Sequence, residues 1–86
     1  MRDIESNIVY VIKRLTQYIP DSDVIELVNL VQKHGEYGIA MENLCSILEE
    51  KKISISHEII DQIIELFREM GFGSEILSYY KERLKT

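Results

Sequence analysis

Tryptophan is missing from this 86-residue sequence, which also holds only one cysteine, one proline and four glycines. With Cys45 alone, no internal disulfide can form and no multi-thiolate zinc site can be built, as suits a reducing compartment. No stretch approaches the roughly 20 apolar residues that a bilayer span needs. The N-terminus, Met1-Arg2-Asp3-Ile4-Glu5, alternates charge and is no signal peptide, so the expected location is the cytoplasm. Bases are also scarce: 10 Lys and Arg stand against 15 Asp and Glu, a formal charge of −5. Phosphate binding needs clustered cations, so neither nucleic acid nor an anionic membrane is the expected partner. A basic protein fits better, because opposite fields speed encounter and sharpen selectivity.

What is present is helical periodicity. A chain of this size buries roughly 60–65% of the surface its unfolded form exposes, enough for one core and one domain over residues 1–86. Ile4, Ile8, Val11, Ile12, Leu15 and Ile19 recur at helical spacing, which predicts a first helix over 3–18, stopped by Pro20. Asp23 with Glu26 reads as a capping box for a second helix carrying Val24, Leu27, Val28 and Val31. Gly35 sits where a left-handed residue closes a helix, with His34 in the last turn. A third helix over 38–50 turns Ala40, Met41, Leu44, Ile47 and Leu48 inward and Glu42, Ser46 and Glu49 outward. After the linker Ile53-Ser54-Ile55, Ser56 caps a fourth helix with Ile59, Ile60, Ile63, Phe67 and Met70 inside. Gly71 and Gly73 end it, and a fifth helix over 74–85 presents Ile76, Leu77, Tyr80 and Leu84 to one side. The expected fold is all-α: a compact bundle of four to five short helices around a single core.

Little here can carry chemistry. His34 and His57 lack neighbours at metal-ligand spacing. Cys45 lies beside the inner face of the third helix with no local base to activate it. The glycines are isolated, so no phosphate-cradling loop exists. No cofactor, no metal and no enzymatic activity are expected.

Charge placement says more. Residues 1–20 and 70–86 each carry three bases and two acids, whereas residues 21–69 carry eleven acids and four bases. The whole negative excess therefore lies in the second to fourth helices. Glu58, Asp61, Glu65 and Glu69 recur at helical spacing and form one carboxylate stripe, with Arg68 as the local cation. Glu42 and Glu49 line one face of the third helix. These six, with Tyr37 as an aromatic anchor, make up the candidate contact surface for a basic partner.

The stretch His34-Gly35-Glu36-Tyr37-Gly38-Ile39-Ala40-Met41-Glu42-Asn43-Leu44-Cys45 resembles the Gly-Glu-x-x-x-Ala-Leu-Glu-x-Leu-Cys core of MafI-like immunity proteins. These are small partners of bacterial toxins delivered by the MafB and contact-dependent growth inhibition systems. Ile53-Ser54-Ile55-Ser56, the helix after it and Met70-Gly71 extend the likeness over about residues 21–72, with Met41 where leucine is commoner. The resemblance implies an immunity protein that binds a cognate secreted toxin, an RNase and in some systems an EndoU-like one, and blocks its active site or substrate path. Two alternatives stand beside it. Asp21-Ser22-Asp23 is similar to the serine motif of acyl and peptidyl carrier proteins, with Asp23 in place of the expected leucine. Tyr10, Ile25, Leu30 and Tyr79 lie off the core stripes and offer a face for a homo-oligomer, a self-associating helical module.

Overall fold

The computed structural model describes residues 3–85 as five helices: α1 (Ile4–Arg14), α2 (Asp21–Gln32), α3 (Tyr37–Glu50), α4 (His57–Glu69) and α5 (Ser74–Leu84). There is no strand among these residues. Met1 and Arg2, whose charges entered the reading of the N-terminus, and Thr86 lie outside the described residues.

Each helix exists because one stripe of it is buried. Ile8, Val11 and Ile12 of α1, Leu27 and Val31 of α2, Ala40, Met41, Leu44, Cys45 and Leu48 of α3, and Ile60, Ile63 and Phe67 of α4 form one continuous buried cluster. α1 packs against α2, α3 and α4, while α5 packs only on α3 and α4. Phe67 is the hub at that end: its ring stacks on Tyr80 at 4.8 Å between centroids and meets Phe72 edge-on at 4.9 Å. No polar or charged side chain is buried among the described residues, so the core carries no desolvation penalty.

The helix ends differ from expectation in several places. α1 stops at Arg14, not at residue 18, although Leu15 and Ile19 are buried as their spacing suggests. The Thr16 hydroxyl donates to the Lys13 carbonyl at 3.1 Å, and the Leu15 N–H reaches the Ile12 carbonyl at 3.0 Å. These tight local bonds replace the next helical turn, and the irregular turn still delivers both side chains to the core. α2 starts at Asp21 with Pro20 in the cap position and no side-chain cap. The Asp23 and Val24 N–H groups both reach the Pro20 carbonyl, so Asp23 lies inside the first turn and the Asp23/Glu26 capping box does not form. Its charge still suits the positive end of the helix. α3 begins one residue early, at Tyr37, and His34 falls beyond the end of α2.

Other signals hold. Ser56 caps α4, its hydroxyl accepting from the Ile59 N–H at 3.3 Å. Gly35 adopts φ +63° and Gly71 φ +90°, the left-handed region that closes helices. Ile53 and Ile55 pack on the core from the linker while Ser54 is exposed. Within α5, Leu77, Tyr80 and Leu84 turn inward, but Ile76 does not; it is 41% exposed.

Candidate protein-docking surface

α4 forces its carboxylates outward. Ile59, Ile60, Ile63, Ile64, Leu66 and Phe67 are buried, each contributing roughly 1.5–3 kcal/mol of apolar transfer. Like-charge repulsion along the helix costs only tenths of a kcal/mol per pair. Burial therefore decides the rotation of the helix, and Glu58, Asp61, Glu65 and Glu69 are left exposed.

Their surroundings are unequal. Arg14 of α1 reaches across to Glu58 at 3.1 Å and also donates to Gln62 Oε1 at 2.9 Å. Glu65 is held by Arg68 within the helix. Asp61 and Glu69 form no ion pair among the described residues. The stripe runs beside a groove of about 190 Å³ between α1 and α4. Val11 and Leu66 floor it, and Asn7, Tyr10, Gln62, Glu65 and Glu69 rim it. That volume lies below the roughly 300–1,000 Å³ of small-molecule sites and suits a single side chain. Sequence reasoning missed Asn7 and Gln62. The available signal was Gln62 itself, placed by helical spacing between Glu58 and Glu65.

The α3 residues lie elsewhere. Glu42 is exposed, whereas Glu49 is half-buried and paired with Arg83 of α5 at 3.3 Å. Tyr37 opens α3, packs partly against the core and donates its hydroxyl to Glu5 Oε1 of α1 at 3.0 Å. That hydrogen bond, then partial burial and the charges of Glu5 and Asp3, raise its pKa. Tyr37 thus braces α3 against α1, and its free surface is what remains for an anchor. The seven candidates therefore do not form one patch. Glu58, Glu65 and Glu69 follow the α1 side of α4, Asp61 is exposed elsewhere on that helix, Glu42 is exposed on α3, Glu49 faces α5, and Tyr37 faces α1.

Cys45 is fully buried, and its thiol pKa is driven far up, first by burial and then by the nearby Glu49 and Glu42. A thiol held in that state is not a nucleophile. Among the described residues no three His, Cys, Asp or Glu side chains converge as a metal-ligand set. Ser22 is exposed in the first turn of α2. Tyr10, Ile25 and Tyr79 are exposed, while Leu30 packs partly on the core. Tyr79 and Ile25 sit on helices that do not touch each other. No helix among the described residues is long and apolar enough to cross a membrane.

Comparison of this chain with protein families, with curated proteins and with solved structures found no match.

Proposed function

We propose that this chain works by binding, as an immunity protein that occupies a cationic surface of a secreted bacterial toxin and keeps its substrate out. One observation supports the reading above the rest. Of the eleven acids in residues 21–69, Glu49, Glu58 and Glu65 are in ion pairs, and the other eight have none among the described residues. A fold that needed those charges for itself would pair them. Seven on helices and Glu36 in the turn before α3, all without an ion pair among the described residues, they form a prefolded anionic surface whose field steers a basic protein toward it. An RNase has a basic cleft because it must hold phosphate, so this surface fits that class of toxin. Charge sets encounter and selectivity, while affinity rests on a few buried anchors, for which Tyr10 and the exposed edge of Tyr37 are the aromatic candidates beside α1.

The test pairs the purified protein with secreted-toxin domains of basic RNase type, first any encoded beside its own gene. Binding in solution, together with protection of cells that express the toxin, is the expected result. Asp61→Lys with Glu69→Lys should slow association and flatten its dependence on salt, because both carboxylates are exposed and form no ion pair among the described residues. Absence of both binding and protection would overturn the proposal.

A further inference from the structure

α2 and α3, joined by residues 33–36, pack side by side and leave a second groove of about 210 Å³. One wall is α2, where Asp23, Glu26, Leu27 and Leu30 follow one helical stripe; the other is Asn43, Ser46 and Ile47 of α3. Leu27 is buried, and Leu30 and Ile47 pack partly on the core, so the floor is apolar and the rim is acidic on the α2 side. Helical spacing carries the α3 wall further in both directions. Ile39, 48% exposed, stands four residues before Asn43, and Glu50 stands four after Ser46.

Acidic charge predominates around this groove, and the one cation that helical spacing adds to the α3 wall is Lys51, four residues after Ile47 at the end of the helix. α2 and α3 carry Asp21, Asp23, Glu26, Glu42, Glu49 and Glu50 and contain no lysine or arginine. Of these six only Glu49 forms an ion pair among the described residues, and that pair turns toward α5. The α1/α4 groove differs, because Arg14 and Arg68 already stand among its acids.

The geometry points to the α2/α3 groove as the seat for a helical segment of the cationic partner, one that inserts a single aliphatic side chain between Leu30 and Ile47. That side chain is flanked, about one turn away, by lysine or arginine facing Asp23, Glu26 and Glu50. The groove is too small for a drug-sized ligand and suits the helix-in-groove mode, where apolar anchors fill pockets and charges fix register. The inference rests on the reading of a cationic protein partner and adds where, and by what side chains, that partner docks.

Two synthetic helical peptides serve as probes: one of alternating lysine and leucine faces, and one with its leucines replaced by alanine at equal charge. Titrated into the isotope-labelled protein, the leucine peptide should shift the amide signals of Leu30, Asn43, Ser46 and Ile47 first. The alanine peptide should bind several-fold more weakly. Ser46→Arg, at an exposed position, should weaken the leucine peptide about tenfold, the loss expected for one central anchor; Asn43→Arg should do the same. Asp61→Lys on α4 should change it less than about twofold, as a distant rim charge does. Shifts centred on α4, equal binding of the two peptides, or indifference to both arginine substitutions would each overturn the inference. The toxin experiment separates the two readings. A toxin that binds the native protein and the Ser46→Arg variant alike refutes the groove and leaves the function, whereas a toxin that binds neither refutes the function.

Discussion

The end of α3 offers a sharp test of the local physics. Lys52 has φ +51°, in the left-handed region, and is the only non-glycine residue with positive φ among those described. Its N–H reaches the Glu49 carbonyl at 3.1 Å, and the Ile53 N–H reaches the Leu48 carbonyl at 3.0 Å. α4 ends the same way, with Gly71 N–H on Arg68 and Phe72 N–H on Phe67, but there the left-handed residue is glycine. Both are Schellman closures, with Ile53 and Phe72 packing back on the core. A side chain in this conformation costs roughly 1–2 kcal/mol, and glycine returns roughly 0.4–1 kcal/mol through its freer unfolded chain. Lys52→Gly should therefore be more stable than Lys52→Ala by about 0.5–1 kcal/mol. The alanine variant is the proper reference, because both changes remove the same charge from the helix end. In a domain of this size that is about 2–8 °C in midpoint temperature, readable by circular dichroism at 222 nm, with urea slopes that stay equal. A glycine variant no more stable than the alanine one would refute the backbone argument.

Three further outcomes follow from the same structure. Cys45 should resist alkylating reagents in the native state and react at the rate of unfolding when urea is added; prompt labelling of folded protein would contradict its burial. Asp3 caps α1 by accepting from the Ser6 N–H at 2.8 Å, which lowers its pKa below the ordinary 3.8. Its contribution is present above that value and is lost as pH falls through the lowered folded pKa, so Asp3→Ala should flatten the acid limb of a melting-temperature profile, and parallel limbs would refute it. Arg14→Gln should remove the Glu58 pair at a cost of about 1 kcal/mol or less while adding one unpaired carboxylate to the α4 face; association with a basic partner should then quicken, and slower association would count against that face.

Much of this was legible in the sequence. Five apolar stripes at helical spacing predict five helices, and each was found, because burial of those stripes outweighs every competing local preference. The boundaries read less well for definite reasons. Leu15 and Ile19 keep the period of α1 after the helix has ended, since a tight turn can bury side chains four apart as a helix does. Asp23 and Glu26 have the spacing of a capping box, but the Pro20 carbonyl captures the Asp23 N–H first. Ile76 fits the stripe of α5 yet stays exposed, because α5 meets only α3 and α4 and has no third neighbour to cover a wide apolar face.

The charged surface was legible as a total but not as a distribution. Counting assigns the negative excess to the second through fourth helices; it cannot tell which carboxylates the fold keeps for itself. That depends on where the arginines land. Arg14 ties α1 to Glu58 of α4, Arg83 ties α5 to Glu49 of α3, and Arg68 serves Glu65 within α4, so among the described residues the three ion pairs all use arginine and none uses a lysine. Arginine's planar, five-donor head holds a fixed partner where lysine's compact ammonium stays hydrated. The consequence is that α4, with the most conspicuous acidic stripe in the sequence, has two of its four carboxylates already engaged. α2, whose three acids the sequence placed in a capping box or beside Ser22, has none in an ion pair among the described residues. Partner recognition by charge is governed by what remains uncompensated after folding, and on that measure the α2/α3 side carries at least as much of the field as the α4 stripe does.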